Sequence, residues 1–413
     1  MKKICISLVI LLQMADVLGQ ANYDESRVPK YELPTLLASE NGPRIVNIGL
    51  WRSLRRSEIV SLFEEHVYGI IPEFEYETSV STKQLGSLDM GTPNNAIEVT
   101  ISFSNDKGKV DMTILLVGPK NDAPVPFFVG YNFYGNHTTN ADPKIAITES
   151  YVRNNKDYGI TDNVANEKSR GVRSHRWPMK DIVERGYGVA TIYYGDIDPD
   201  FDDGFENGIH SLVEPELAKT WPSISAWSWG LMRAMDYFEE MEDIGKVSVI
   251  GHSRLGKTSL WAGALDERFA IVVSNDSGCG GAALSRRKYG ETVKRINTNF
   301  PHWFNTKFKS YSDNEKAIPV DQHMLIALAA PRPICVGSAV DDRWADPKGE
   351  FLSTFHAGEV YKLYGFKTLD DSMPEVDAPV QSDRQSYHIR TGGHDLTVYD
   401  WQQYMNFADE FLK

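Results

Sequence analysis

The chain of 413 residues contains few cysteines, with three in all. Cys5 lies in an N-terminal apolar stretch, so Cys279 and Cys335 are the cysteines left for the folded protein. Two cysteines in a chain of this length do not make a disulfide scaffold, although an oxidising compartment would allow them to pair. The fold must therefore be stabilised mainly by a hydrophobic core, and the pairing of the two thiols stays open.

Basic residues are scarce relative to acidic ones. The sequence has 43 lysines and arginines against 57 aspartates and glutamates, which gives a formal net charge of −14. A surface of this sign repels nucleic acids and anionic membranes, so we expect neither as a partner. Beyond the N-terminus, no stretch of the sequence approaches the roughly 18 uncharged apolar residues that a transmembrane helix needs.

Spacings typical of metal sites are absent from the sequence, which has no His-x-x-x-His and no Cys-x-x-Cys pattern. An acidic run at 195–208, GDIDPDFDDGFENG, resembles a calcium loop only loosely. Its glycines and glutamate do not fall at the positions that an EF-hand loop requires. We therefore predict neither a metal nor a cofactor, and we interpret the run as a solvated loop.

The N-terminus has the features of a secretory signal peptide. Lys2 and Lys3 precede an apolar run at 4–12, and a plausible cleavage site lies between Gly19 and Gln20. The apolar run is too short to cross a bilayer, which favours a cleaved signal over a membrane anchor. We expect residues 1–19 to be removed and the mature chain, residues 20–413, to be secreted or periplasmic.

Hydrophobic patterns predict an α/β fold. Apolar runs at 125–131 and 187–194 are typical of buried central strands, and segments 96–103 and 109–117 form a hairpin around a polar turn. Strands of this kind alternate with amphipathic helices such as 221–241. This order predicts a three-layer αβα sandwich with a mostly parallel sheet and an antiparallel hairpin at its start.

Residues 132–182 are polar and show no convincing period. Because structureless connections of this length are uncommon inside a compact domain, we predict a functional loop insertion near the active site. The sequence offers no linker that would divide the chain, so residues 20–413 are expected to form a single catalytic domain.

Residues 246–270 contain the strongest candidate for a nucleophile. A short apolar strand leads into Gly-His-Ser-Arg-Leu-Gly at 251–256, followed by a helix that we expect to begin near Lys257. A serine beside glycines on a sharp strand-to-helix turn presents an exposed hydroxyl. The match to G-x-S-x-G is imperfect, since Gly256 comes one residue late. Ser253 is nevertheless the predicted nucleophile.

The rest of a catalytic triad follows Ser253 in the chain. His394 lies in a glycine-flanked turn before the terminal helix, and two acid positions precede it: Asp276, and the pair Asp341 and Asp342. The order serine, acid, histidine is that of α/β hydrolases, and such groups gather at the carboxyl ends of strands. The imidazole activates the serine, and the carboxylate holds its tautomer. The sequence leaves the choice of acid open.

The chain also resembles a known family. Residues 251–257, 275–281 and 341–350 are similar to the corresponding motifs of bacterial glucuronoyl esterases of carbohydrate esterase family 15, and the resemblance extends from about Tyr23 to the C-terminus. It implies an α/β-hydrolase that acts as a serine esterase. The substrates implied are esters of glucuronic or 4-O-methylglucuronic acid side chains of glucuronoxylan, including lignin–carbohydrate links.

The resemblance also implies roles for individual residues. Ser253 matches the nucleophile, His394 the base, Arg254 an oxyanion-binding arginine, Asp276 and Asp342 two alternative acid positions, and Lys257, Glu291 and Trp344 the lining of the uronate pocket. Many family members have a glutamate where this chain has Asp276, which is one methylene shorter. We therefore predict that Asp276 and Asp342 share the role of the acid.

The chemistry of these residue types agrees with those roles. Arg254 can offer a backbone N–H and a guanidinium to a developing oxyanion, and each such donor is often worth about 3 kcal/mol. Lys257 and Glu291 can bind sugar hydroxyls, and Trp344 offers an apolar platform. The alternatives are an acetyl xylan esterase or another carboxylic esterase on the same fold and, from a different class, a non-catalytic carbohydrate-binding protein. We expect a monomer.

Overall fold

The computed structural model describes residues 21–39, 42–121 and 123–413. The predicted signal peptide, residues 1–19, lies outside the described residues and stays a prediction. Within these ranges, no helix combines the length and the apolar character that a bilayer crossing requires.

Ten strands of the described chain form one mixed sheet. They are β1 (Glu77–Gly86), β2 (Asn94–Asn105), β3 (Gly108–Pro119), β4 (Val125–Asn132), β5 (Gly188–Tyr193), β6 (Ile244–His252), β7 (Ile271–Asn275), β8 (Ile334–Ala339), β9 (Val380–Gln381) and β10 (Gln385–Arg390). Their order across the sheet is β1-β2-β3-β5-β4-β6-β7-β8-β10-β9. The strands from β5 to β10 in this order are parallel, whereas β1 to β3 and β9 pair antiparallel at the two edges.

Helices connect these strands. The first, α1, combines α-helical and π-helical turns (Ile48–Leu50, Trp51–Arg55, Arg56–Phe63 and Glu64–Tyr68), and the others are α2 (Met179–Glu184), α3 (Pro215–Ala218), α4 (Ser223–Glu239), α5 (Arg254–Leu265), α6 (Val293–Asn299), α7 (Thr306–Lys309), α8 (Gln322–Ala327), α9 (Pro347–Leu363) and α10 (Val398–Leu412). Short 3₁₀ turns lie at Glu25–Arg27, Asn136–Thr138, Lys156–Tyr158, Glu167–Ser169, Ser174–Arg176, Tyr194–Asp196, Gly208–Leu212, Ser285–Arg287, Glu315–Ala317 and Arg343–Ala345.

The sheet separates two hydrophobic cores. Val129 of β4 packs in one core with residues of α1, α4, α5, α8 and α9, whereas the neighbouring Phe128 packs in the other with residues of α2 and α10. Successive residues of a strand point to opposite faces, so each central strand contributes to both cores. The predicted three-layer sandwich with a mostly parallel sheet is therefore confirmed, as is the hairpin, which β2 and β3 form.

Two parts of the chain differ from the predictions. Strand β1 is absent from them, because it is an edge strand whose residues are almost all exposed and whose apolar residues do not alternate. The acidic run 195–208 is not simply solvated: Asp198 is buried, and its carboxylate lies 3.0 Å from Nδ1 of His210. His210, which compensates the burial of Asp198, lies 12 residues further along the chain, and composition alone cannot reveal the pairing.

The segment 132–182 has the irregular backbone that its composition predicts, with short 3₁₀ turns before α2. It is nevertheless packed, since His137 is fully buried and its Nε2 lies 2.8 Å from Oγ of Ser169. In the described part of the chain, Cys279 and Cys335 are buried free thiols, which answers the open question of their pairing. Burial raises the pKa of both thiols, so both are protonated and unreactive.

Candidate active site

Ser253 occupies a sharp turn between β6 and α5. Its backbone has φ 59° and ψ −130°, a conformation that residues with a side chain rarely adopt. Helix α5 begins at Arg254, directly after the serine and not near Lys257 as predicted. The turn thus raises the Ser253 hydroxyl above the carboxyl edge of the sheet, at the N-terminus of a helix.

Two glycines make the turn possible. A Cβ on Gly251 would lie 1.9 Å from the carbonyl oxygen of Leu255, and a Cβ on Gly256 would lie 2.9 Å from Cβ of Ser277. Gly251 therefore admits the backbone of the first helical turn, and Gly256 admits the loop that follows β7. The late position of the second glycine is thus required by the loop that packs against α5.

The predicted nucleophile, base and one of the predicted acids form a hydrogen-bonded triad. Oγ of Ser253 lies 2.9 Å from Nε2 of His394, and Nδ1 of His394 lies 2.6 Å from Oδ2 of Asp342. The serine hydroxyl can donate to Nε2 while the Nδ1–H donates to the carboxylate. The imidazole is partly exposed, whereas the side chain of Asp342 is buried.

Asp276 lies beside this triad without joining it. Its carboxylate is within 4.8 Å of both the Asp342 carboxylate and the His394 ring, but among the described residues its hydrogen-bond partner is Arg390, at 3.4 Å. Oδ1 of Asp276 has no partner there, and the backbone has φ 44°. Burial, Glu350 and Asp342 raise the pKa of Asp276 well above its usual value. The geometry favours Asp342 as the acid that orients His394.

The buried ring of His252 packs against the ring of His394. Its ring lies 4.5 Å from that of His394, and its Nδ1 lies 2.6 Å from Oδ1 of Asn275. Burial lowers the pKa of His252 well below its usual value, so the ring is neutral and does not repel a protonated His394.

The guanidinium of Arg254 is held by a buried carboxylate. Asp200 accepts a hydrogen bond from Arg254, from Nε2 of His302 at 2.9 Å, from Nε1 of Trp303 at 2.7 Å and from the hydroxyl of Tyr194 at 3.0 Å. Burial alone would raise the pKa of Asp200, but Arg254 and the hydrogen bonds keep it below its usual value. The guanidinium also stacks 4.6 Å from the Trp303 ring. Asp200 thus fixes the direction of the arginine next to the nucleophile.

A cavity of about 350 Å³ opens beside Ser253. Its walls bring together all eight residues predicted for the site, and the described residues that line it are Ser253, Arg254, Lys257, Asp276, Ser277, Gly278, Glu291, Phe300, Trp303, Asp342, Trp344, Ala345 and His394. The volume is in the usual range for small-molecule sites. A single sugar ring next to the serine hydroxyl matches this space.

Opposite charges line one wall of the cavity. Lys257 is buried and donates to the carbonyl oxygen of Ser277, while Glu291 is hydrogen-bonded to Trp344. Burial lowers the pKa of Lys257 and raises that of Glu291, and each group opposes the shift of the other by its charge. The wall therefore offers donors and acceptors together, as the hydroxyl groups of a sugar require.

Known proteins are similar to this chain in sequence and in fold. A family model described as "Glucuronyl esterase, fungi" matches residues 216–365. "Carbohydrate esterase MZ0003", from an unknown prokaryotic organism, is 47% identical over 431 aligned positions, which cover 100% of this chain and 99% of that protein. A solved structure described as a promiscuous CE15 esterase from a marine bacterial metagenome is 49% identical with a TM-score of 0.89, over 95% of this chain and 100% of that chain. This chain belongs to carbohydrate esterase family 15.

Other members show how far the similarity reaches. A glucuronoyl esterase structure from Solibacter usitatus is 41% identical with a TM-score of 0.85, and covers 94% of this chain and all of its own. A 4-O-methyl-glucuronoyl methylesterase from Wolfiporia cocos is 26% identical over 82% of this chain and 74% of its own. The present esterase is thus a carboxylic ester hydrolase, and the predicted α/β-hydrolase fold is confirmed.

Sequence reasoning missed several residues of the esterase's site, among them Asp200, Phe300 and Trp303. Asp200 lies in the acidic run that composition assigned to solvent, and Phe300 and Trp303 stack with ring centroids 3.7 Å apart in a segment without a motif. An aspartate next to proline in a loop and an isolated tryptophan carry no signal that distinguishes a site from a core. The pairing of Asp200 with Arg254 depends on the fold.

Glu350 fixes the loop that forms the floor of the cavity. Its carboxylate accepts hydrogen bonds from the backbone N–H groups of Ser277 and Gly278, at 2.8 and 2.9 Å, and from the hydroxyl of Ser338 at 2.6 Å. The residue is fully buried, and burial together with the charge of Asp342 raises its pKa to about 7. Glu350 thus fixes the same loop to which Lys257 is hydrogen-bonded, at the carbonyl oxygen of Ser277.

We predict that Asp200→Asn lowers kcat for a small ester substrate by about tenfold to a hundredfold, because Arg254 loses its charged partner and its fixed direction. Steady-state kinetics checks this, with the unfolding midpoint measured in parallel. Asp202→Asn, which changes an exposed carboxylate of the same acidic run, is the control. Wild-type kcat in the Asp200 variant would contradict a positioning role.

We also predict that Glu350→Gln changes the pH dependence of stability. The wild-type pKa of about 7 lies above that of an unfolded glutamate, so the folded state holds the extra proton and stability falls as the pH rises from about 4.5 to about 7. The glutamine variant lacks this proton, and the difference in unfolding free energy between pH 5 and pH 8 should change by on the order of 3 kcal/mol. Urea denaturation measures it.

The matched control for this measurement is Glu359→Gln, an exposed position on the same helix, α9. Its pH dependence should equal that of the wild type. If Glu350→Gln had the same pH dependence as the wild type, the pKa of Glu350 would be the same in the folded and unfolded states, which contradicts the prediction.

Proposed function

We propose that this esterase hydrolyses esters of glucuronic or 4-O-methylglucuronic acid through a serine acyl-enzyme. The observation that carries the proposal is the triad of Ser253, His394 and Asp342 at the mouth of a sugar-sized cavity with Lys257 and Glu291 in its wall. Relatives named 4-O-methyl-glucuronoyl methylesterase and the 41%-identical glucuronoyl esterase support a uronate ester as the substrate.

In the first half-reaction, Oγ of Ser253 attacks the C6 carbonyl carbon of the uronate ester, and Nε2 of His394 takes the hydroxyl proton. The tetrahedral intermediate then collapses, the C6–alkoxy bond breaks, and His394 gives its proton to the departing alcohol. Asp342 accepts a hydrogen bond from the Nδ1–H of His394 throughout and offsets the charge on the imidazolium. The products of this step are the free alcohol and the acyl-enzyme.

In the second half-reaction, His394 takes a proton from water as the water oxygen attacks the acyl carbonyl. Collapse of this intermediate breaks the bond to Oγ, and His394 returns the proton to Ser253. The uronic acid leaves, and the triad is restored to its starting protonation.

The oxyanion of both intermediates is stabilised by Arg254 and the N-terminus of α5. The first N–H groups of a helix have no partner within it, and the helix dipole is positive at this end. The N–H of the residue after the nucleophile commonly forms part of the oxyanion hole. The Arg254 guanidinium adds a positive charge whose direction Asp200 fixes.

The uronate ring occupies the cavity between Lys257, Glu291 and the indoles of Trp303 and Trp344. The lysine and glutamate bind ring hydroxyl groups, and the apolar indole faces cover the sugar. The esterified carboxyl group is neutral, so the ring enters without the charge that an acidic protein would repel.

The natural substrate that we propose is glucuronoxylan, including the ester links between its uronate side chains and lignin alcohols. Such a polymer lies outside the cell, in agreement with the predicted signal peptide. We further propose that residues 20–413 form one catalytic domain, which the single sheet of the described strands supports, and that this domain acts as a monomer.

A second activity on other esters, including acetylated xylan, is favoured by one observation. The 49%-identical relative is described as promiscuous. A non-catalytic binding protein is disfavoured, because such a protein has no need of a triad with two hydrogen bonds.

Ser253→Ala should abolish the release of methanol from methyl glucuronate, by at least about 10⁴-fold in kcat, because the acyl-enzyme cannot form. Methanol release assayed by gas chromatography measures this. Ser310→Ala, an exposed serine outside the cavity, should keep wild-type turnover. Wild-type turnover in Ser253→Ala would contradict the assignment of Ser253 as the nucleophile. If the wild-type enzyme hydrolysed acetyl xylan rapidly but not methyl glucuronate, the second activity would be favoured.

We predict unequal contributions from the two acids. Asp342→Asn should lower kcat by about 10²-fold to 10⁴-fold, since His394 loses the acceptor that fixes its tautomer. Asp276→Asn should have a smaller effect, and the double variant should be slower than Asp342→Asn alone if the two acids share the role. Asp341→Asn, an exposed neighbour, is the control. A double variant equal to Asp342→Asn would contradict sharing.

A further inference from the structure

A second cleft, of about 760 Å³, lies on the catalytic side of the sheet. Residues of β2, β3 and β5, the segment 146–151 and residues between 199 and 211 line it, and these described residues are distinct from those of the catalytic cavity. Neither the triad nor the uronate pocket uses this cleft.

The sheet topology gives the distance between the catalytic cavity and the second cleft. Strand β3 runs antiparallel to β5 with Ile114 paired to Ile192, so residues 109–112 extend past the carboxyl end of β5. Two strands, β5 and β4, separate β3 from β6, which carries Ser253 at its end. Neighbouring strands lie about 4.8 Å apart, which places the cleft about 14 Å along the edge. A chain of a few pyranose units covers this span.

The two cavities are joined by a short piece of chain. Pro199 and Phe201 line the second cleft, and Asp200 between them holds Arg254 in the catalytic cavity. Residues 199–201 therefore lie between the catalytic cavity and the second cleft.

One wall of the second cleft is aromatic and pre-formed. The Tyr151 ring lies 4.7 Å from that of Phe201, and 36% of Tyr151 is exposed. The buried Tyr193 donates its hydroxyl to the carbonyl of Tyr151 at 2.7 Å. Gly195 leaves room for the Tyr193 ring, since a Cβ there would lie 2.5 Å from it. A partly exposed aromatic ring held in this way offers a surface on which the apolar face of a pyranose can stack.

The charged groups that line the cleft are mainly acidic. The Asp196 carboxylate accepts hydrogen bonds from Oγ of Ser150 at 2.7 Å and from the N–H of Thr113 at 3.2 Å, and Glu149 is exposed. Among the described residues of the lining, Lys109 is the one base, and Asp111 pairs with it at 2.9 Å. Carboxylates accept hydrogen bonds from sugar hydroxyls but repel a uronate, so the lining fits neutral sugar units.

A cation is a poorer match than a sugar. In the described part of the chain, the group of three potential ligands close enough to share a metal ion is Asp276, Asp342 and His394, which lies in the catalytic cavity. The carboxylates of the second cleft are spread over its walls.

We propose that the second cleft binds neutral pyranose units of the xylan backbone, with Tyr151 as their stacking platform, while the uronate side chain occupies the catalytic cavity. This rests on the proposed function for its choice of polymer. The cleft adds affinity for the polymer without touching the ester bond.

The test measures binding and turnover separately on the mature protein. Calorimetric titration with xylohexaose, which carries no ester, should show binding to the wild type, and Tyr151→Ala should weaken it by about threefold to tenfold. Tyr151→Trp, which keeps an aromatic face, should restore it. Tyr237→Ala, a partly exposed tyrosine on α4 that lies outside the cleft, is the control.

Turnover gives the second readout. The ratio of kcat/KM on a methyl-esterified aldouronic xylo-oligosaccharide to that on methyl glucuronate should fall by about threefold to tenfold in Tyr151→Ala, through KM. No binding of xylohexaose, or equal binding and an equal ratio in Tyr151→Ala and the wild type, would overturn the proposal. If xylohexaose binds through Tyr151 but methyl glucuronate is not hydrolysed, the proposed function is wrong, whereas sugar binding by the second cleft is supported.

Discussion

The turn at Ser253 is the constraint on which the rest of the site depends. A backbone with φ 59° must lead from β6 directly into α5, and the helix must approach both the strand and the loop after β7. Starting the helix at Arg254 has a second consequence. Arg254 and Lys257 are three residues apart, so they share one face of the first turn and both line the cavity. The same turn thus exposes the nucleophile and supplies both cations.

Around this turn, buried carboxylates are stabilised by several donors each. Asp200 accepts from Arg254, His302 and Trp303, and Glu350 accepts from two backbone N–H groups and a hydroxyl. Asp400 likewise lies 2.8 Å from both His388 and Arg390. Burying a carboxylate is unfavourable unless such donors replace water. These groups therefore fix the loops at the carboxyl edge, and losing one donor set would disturb a whole wall of the site.

Sequence reasoning reached the part of the site that depends on local chemistry and chain order. Ser253 is identified by its turn and His394 by its position before the last helix, whereas the roles of Arg254 and Lys257 follow from the resemblance to carbohydrate esterase family 15. Asp200 and Trp303 could not be found in this way, because they lie 54 residues before and 49 residues after Arg254 and meet it only in the folded chain. Strand β1 was missed because an exposed edge strand needs no apolar alternation.

The choice between the two acids follows from the sheet order. His394 comes after β10, which pairs with β8, and Asp342 comes after β8; Asp276 follows β7, one strand closer to the nucleophile. An imidazole that reaches from β10 to Ser253 must cross both positions, but its Nδ1 edge faces the neighbouring strand end, where Asp342 lies. Asp276 lies near Arg390 instead, and its raised pKa favours the neutral form. A neutral carboxyl adds little to the balance of charge on His394, whereas Asp342 is hydrogen-bonded to Nδ1 of the ring, so the geometry favours Asp342 as the partner of the base.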